Sequence, residues 1–305
     1  MCFRSGNNAT TVDLRARNAA DRANDAGAIS YLDTDGFAVA AANTTSTVTL
    51  TAGDAITQTG AATGTTLTAK TTKAGGAAIT LTNAGNEFAT VDLRARNAGD
   101  TANDAGAISY RDATGFDVAT IGTTSTVTLQ GGGALTDSGA IAGTTLTTTS
   151  VGGAVLDFGH TVSGFNATNT TNGNVQLVNT GALDITGVSQ AGGGDLIVSN
   201  TGTIGISGAV STGAGNATLT ATDAITQTAA ITTTTLTAKT TKAGGAAITL
   251  TNAGNNATTV DLRARNAADT ANDAGAISYL DTDGFAVAAA NTTSTVTLTA
   301  GDAIT

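Results

Sequence analysis

The chain has 305 residues, of which 40% are hydrophobic, 3% aromatic and 12% charged, with a net charge of −10 and neither Pro nor Trp. Sparse Lys and Arg in an acidic chain exclude nucleic acid as a partner, because neutralising phosphate requires clustered cations. No apolar run reaches the roughly 18 residues of a membrane-spanning helix, and a single cysteine, Cys2, permits no internal disulfide.

Residues 1–6, "MCFRSG", form a non-repeat start that no apolar stretch follows, so they do not read as a signal peptide. From residue 7 onward the text repeats. Residues 7–57 recur at 255–305 with one difference, Arg22 against Thr270, and residues 65–86 recur at 234–255. Leucines of "V-x-L" words at Leu14, Leu93, Leu177 and Leu262 mark long units of 79, 84 and 85 residues. The expected boundaries are about 7–85, 86–165, 166–254 and 255–305, in one continuous repeat region. Both ends cut the pattern in mid-repeat, so the chain is expected to be a window from a longer array.

The first element is "VDLRAR", whose alternation predicts a strand with Val12, Leu14 and Ala16 inward and Asp13, Arg15 and Arg17 outward. The following "RNAADRANDA" predicts an irregular arm in which Arg15, Arg17, Asp21 and Asp25 pair, or a short helix. Three-residue words then recur at Val48–Leu50, Ile79–Leu81, Val91–Leu93, Val127–Leu129, Val175–Leu177, Ile248–Leu250 and Val296–Leu298. In the third unit the phrases starting at Val178 and Val198 align at a shift of 21, and the text from Asn216 continues that step.

Alternating runs broken by Asn, Gly and Thr turns, repeated without helical period, predict an all-β fold. The architecture expected is a parallel β-solenoid of roughly 20-residue coils. The absence of Pro fits, because a strand bonded on both sides has no N–H to spare. The shortage of Glu, with Glu87 alone, disfavours helix. Four coils per long unit would place copies of the arm about 19 Å apart, too far for their arginines to share a site.

Candidate chemistry is thin. "LDTDGF" at Leu32–Phe37 and Leu280–Phe285 resembles part of a calcium loop. The middle copy loses a carboxylate (Asp112 to Gly115), and no Glu closes the loop, which leaves an Asp-Gly turn as the plainer reading. His160, the sole histidine, is expected on the surface or in a turn. Asp157 with Asp184 or Asp195 is a candidate carboxylate pair for a polysaccharide-cleaving enzyme. Lys70, Lys73, Lys239 and Lys242 read as scattered surface charges, and Asn-x-Thr sequons arise by chance in a chain this rich in both residues. Threonine alternation suggests an ice-binding lattice, but steps of 17, 14 and 12 between Leu50, Leu67, Leu81 and Leu93 argue against coils of equal length.

The words "NVQLVNTGALDITG", "GDLIVSNTGTIGISGAV", "VTLTAGDAITQTGAATGTTLTAKT" and "ITLTNAGN" resemble the internal repeats of filamentous-haemagglutinin-like exoproteins. These are bacterial surface proteins of the two-partner secretion type. The resemblance implies a right-handed parallel β-helix, passage through an outer-membrane transporter, and a secreted or cell-surface adhesin or its stalk. Its partner would be a glycan or protein on a host or neighbouring cell, and its uncapped ends would self-associate. The family's N-terminal secretion domain is not among these residues, and no receptor-binding residue carries over. The expectation is a structural or adhesive segment without enzymatic activity, with no catalytic, cofactor-binding or metal residues. A carbohydrate-active β-helix and an ice-binding solenoid are the alternatives.

Overall fold

A computed structural model describes residues 7–305 and the backbone of Cys2–Phe3; the rest of the non-repeat start, with any role for the Cys2 thiol, lies outside the described residues. The chain divides into two compact units, Met1–Ser150 and Val151–Thr305. Each is a parallel β-solenoid, and no helix occurs among the described residues.

In the first unit, one ladder of parallel partners steps from Phe3 to Tyr31, Leu50, Ala69, Leu93, Ile121 and Ile141. A second ladder runs through Phe37, Ile56, Ile79, Ile108, Val127 and Leu146. From Tyr31 onward every residue named in the two ladders is buried. Because successive side chains alternate in direction, an inward residue on one rung meets an inward residue about 4.8 Å above and below. Burying each Ile, Leu or Val in such a column is worth about 1.5–3 kcal/mol. In the second unit the corresponding ladder is Leu156, Leu177, Val198, Leu219, Ala238, Leu262 and Ala290.

Coil length varies along each unit. The steps Leu156–Leu177–Val198–Leu219 are 21 residues each, as the third-unit period predicts. By contrast, Tyr31–Leu50–Ala69 are steps of 19, Ala69–Leu93 is 24 and Leu93–Ile121 is 28. The arm-bearing coil absorbs the extra residues, so each unit makes six such steps, fewer than four coils per long unit would give. The marker leucines do not measure coil length. Leu50 and Leu93 share the first ladder while Leu81 lies on the second, beside Tyr110.

A long unit is therefore not a whole number of turns. Strand Ile29–Asp33 lies on the first ladder, against Thr47–Ala52. Its copy Ile108–Asp112 lies on the second, between Ile79–Leu81 and Val127–Gly131. The repeat passes from one side of the coil to another, and the expected stacking of copies four coils apart does not hold.

The arms are not helical. Arg17 bridges Asn24 antiparallel, as Arg96 bridges Asn103 and Arg265 bridges Asn272. Between them Asp21, Asp100 and Asp269 adopt φ of 50–54°, a left-handed conformation that a short polar side chain tolerates and a helix does not. The Asn97 carbonyl accepts the Asp100 N–H at 2.9 Å, and its Oδ1 accepts the Thr101 N–H at 2.9 Å. At the base of the second arm, Gly76 (φ 81°) passes so close that a Cβ would lie 2.5 Å from the Ala105 nitrogen.

Two stretches of 35 residues, 62–96 and 231–265, differ at five positions only: Ala62/Ile231, Gly64/Thr233, Glu87/Asn256, Phe88/Ala257 and Ala89/Thr258. Gly64 is the register partner of Phe88, and Thr233 that of Ala257. Phe88 is buried, and a Cβ on Gly64 would sit 2.9 Å from its ring. The two cores exchange volume: an aromatic over glycine in one, a threonine over alanine in the other. Gly64→Thr should cost about 1–3 kcal/mol by overpacking, and Phe88→Ala about 3–5 kcal/mol by cavity formation. Ala62→Ile, Gly64→Thr and Phe88→Ala combined should recover most of that loss in urea denaturation; strictly additive losses would refute the exchange.

Candidate functional site: aspartate turns and charged arms

The first aspartate of each "LDTDGF" turn, Asp33 and Asp281, is buried, as is Asp112 in the middle copy, and its carboxylate is occupied. The Tyr31 hydroxyl donates to Asp33 Oδ2 at 2.7 Å, the Ala9 N–H to the same oxygen at 3.2 Å, and the Asp35 N–H to Oδ1 at 3.0 Å. Asp112 repeats this with Tyr110, Phe88 N–H and Thr114 N–H, and Asp281 with Tyr279, Ala257 N–H and Asp283 N–H. Each tyrosine stands edge-on to a phenylalanine, Phe37, Phe116 or Phe285, with ring centroids 4.8–5.0 Å apart. Burial pushes the Asp33 carboxyl up, but the hydrogen bonds from Tyr31, Asp35 and Ala9 outweigh it and hold the group below its ordinary range. Burial, then the bond to Asp33, pushes the Tyr31 hydroxyl up to about 12; Tyr110 and Tyr279 are pushed up further, burial again the leading cause. A calcium ion would have to displace N–H and O–H donors from these oxygens. The loss of the second carboxylate at Thr114 is tolerated because the first one caps the turn.

Several asparagines inside the coil are paired along its axis. Asn86 Oδ1 accepts the Ala62 N–H at 3.0 Å, while its amide donates to the Leu81 and Arg111 carbonyls and to Gln58 Oε1. Asn255 makes the same set with Ile231, Leu250, Leu280 and Gln227. In the second unit Asn179 donates to Asn200 at 3.0 Å and exchanges two bonds with the Val162 backbone. His160 heads this column. It is fully buried and in register with Asn179, contrary to its expected place on the surface or in a turn. The register slips between Leu156 and His160, where Gly159 has φ of 106°, and the slip turns His160 inward.

On the outer face the predicted charges are brought together, mostly with one another. Arg94 pairs with Asp92 at 2.6 Å, Arg96 with Asp100 at 3.0 Å, and Lys70 with the same Asp100 at 2.5 Å. Lys73 reaches Asp54 at 2.6 Å. Arg263, Arg265, Lys239 and Lys242 repeat the set with Asp261, Asp269 and Asp223. In the first copy Arg15 pairs with Asp13 and Arg17 with Asp21. Among the described residues Asp25 does not join an arginine: its Oδ1 accepts the Ala26 N–H, and its counterpart Asp104 reaches back to the Gly75 N–H. The lysines are thus ties between rungs. Lys70, then Arg96, holds the Asp100 carboxyl below its ordinary range, and Lys239 with Arg265 does so for Asp269.

Asp157 lies mid-strand in Ala154–His160 and Asp195 just before Leu196–Thr201, two rungs away on the same ladder, while Asp184 is on the other. Asp184 accepts the Ser207 hydroxyl at 2.6 Å, and Asp195 accepts the Asn216 N–H at 2.8 Å. Hydroxyls do align in one column, Thr80–Ser109–Thr128–Thr147, but the neighbouring outward column reads Arg111–Gln130–Thr149.

Residues 26–93 and 193–262 match the profile of a family of repeats of unknown function (DUF5649). Both matches run through the 19- and 24-residue coils and end on the "VDL" strand. No curated protein and no solved structure gave a significant match.

Two outcomes distinguish the buried turns from the exposed arms. Asp112→Ala should cost about 3 kcal/mol, because Tyr110 and two N–H groups are left unsatisfied; Asp100→Ala, on the surface, should cost less than about 1 kcal/mol. Chemical denaturation of both variants checks this. Asp33, Asp54, Asp100, Asp223 and Asp269 all have folded-state pKa values below the ordinary carboxylate value. Their contribution is present above about pH 3.9 and lost as pH falls below it. Unfolding midpoints should be flat near neutrality and drop in acid.

Proposed function

We propose that this chain is a structural segment of a large secreted bacterial surface protein, a stalk that mediates or supports adhesion. What carries the reading is the direction of its polar chemistry. Asp33, Asn86 and Asn179 inside, and Lys70 and Lys73 outside, tie one coil to its neighbours. The resemblance of the repeat words to filamentous-haemagglutinin-like exoproteins supports the same reading, with an outer-membrane transporter and a cell-surface glycan or protein as partners. Tethered by one end and pulled from the other, the chain should resist force and yield in steps that each release about 20 residues, one coil at a time. Release of the whole chain in one weak event would sink the stalk. Cleavage of any member of a polysaccharide panel, lost in Asp157→Ala, would replace it with a carbohydrate-active reading, and thermal hysteresis would replace it with an ice-binding one.

A further inference from the structure

Of the five differences between residues 62–96 and 231–265, three are accounted for by the volume exchange around Phe88. The other two, Glu87/Asn256 and Ala89/Thr258, point outward and stand beside it. In the first unit this spot is an open groove of about 520 Å³, lined by Thr45, Thr63, Gly64, Thr65, Glu87 and Thr114 among others. That volume is within the range of small-molecule sites, about 300–1,000 Å³.

The equivalent spot in the second unit has the same strand register and different polar pairing. There the Asn256 amide donates to Asp283 Oδ2 at 3.1 Å, strapping one rung to the next, and the Thr234 hydroxyl donates to the Ala214 carbonyl at 3.0 Å. The counterparts in the first unit are Glu87, Thr114 and Thr65. Thr114 turns its hydroxyl onto Asp112 at 3.0 Å, and neither Glu87 nor the Thr65 hydroxyl has a partner among the described residues. The chain's single glutamate therefore stands unpaired in a groove whose strap is missing, on a surface where Asp54, Asp92 and Asp100 are neutralised by Lys or Arg.

We propose that this groove is a ligand site of the first unit that takes a saccharide bearing a free amine. The carboxylate of Glu87 supplies the counter-charge for an ammonium group. The hydroxyls of Thr45 and Thr65, each both donor and acceptor, meet ring hydroxyls. The Phe88 ring is buried under the groove and offers no face for stacking, so binding rests on hydrogen bonds and charge and is weak. The site stands whether or not the chain is an adhesin stalk.

The test is titration of the full chain at physiological salt with a glucosamine trisaccharide and, separately, with its N-acetylated form, followed by ligand-observed NMR. The amine form should bind and the acetylated form should bind at least about tenfold more weakly, the difference between a charge-assisted and a neutral hydrogen bond. Glu87→Gln should weaken the amine form by a similar factor. Glu87→Asn with Thr114→Asp, which transplants the strap of the second unit, should abolish binding, and the second unit shows that this pair suits the fold. No binding of the amine form to the unaltered chain overturns the proposal. So does equal binding of the two trisaccharides, or binding that survives both variants.

Discussion

Stacking of like on like, repeated at every rung, is the constraint on which the rest of this molecule depends. A coil of 19 residues has no core of its own; its inward side chains are covered only by those of the coils before and after it. This explains why the inward columns are built from Ile, Leu, Val and Ala, which stack without leaving gaps, and why proline is absent from the whole chain. It also explains how Asn and Asp residues are accommodated in the interior. An isolated Asn or Asp there would leave donors and acceptors unsatisfied, whereas Asn179 over Asn200, or Asp112 reaching the Phe88 N–H, converts the same groups into bonds between coils.

The charged arms follow the same logic on the outside. Each interrupts a coil with about ten extra residues, and an interruption of that size would leave the strands on either side poorly tied. The Asp at positive φ closes the arm into a tight antiparallel loop, and Lys70 or Lys239 on the preceding rung fastens that Asp to the stack. Repetition of the arm thus comes from repetition of a mechanical problem and its solution. Residues 62–96 and 231–265 part company only at the groove over Phe88, where a strap has been exchanged for a glutamate without a partner among the described residues.

Much of this was legible in the residues. Alternation in "VDLRAR" placed Val12, Leu14 and Ala16 inside and Asp13, Arg15 and Arg17 outside; Val12 is buried, Leu14 and Ala16 are half-buried and the three charged residues are exposed, and the 21-residue period set the coils from Leu156 to Leu219. What the text could not reveal was which side of the coil a strand occupies, because the word "ITL" at Ile79 and "VTL" at Val48 look alike and lie on different ladders. His160 was misplaced because strand parity is broken at Gly159, and a bulge is invisible to alternation. Asn86 and Asn255 close turns with Asn83 and Asn252; that their amides also cross the interior depends on the neighbouring coil. The groove was visible only by setting residues 62–96 beside 231–265, a comparison of differences where attention falls naturally on sameness.

The passage of the repeat from one ladder to the next has a consequence for how such a molecule changes over generations. Strand Ile29–Asp33 and its copy Ile108–Asp112 are housed on different sides of the first unit's solenoid, so the sides are interchangeable hosts. Tandem duplication or deletion of a module then needs no phase-matching to the winding of the coil. A gene that gains or loses a copy by unequal crossing-over still encodes a stack whose strands find partners, and what changes is the bearing of each arm around the axis. Length and angular display become freely variable traits of a scaffold whose interior rules stay fixed.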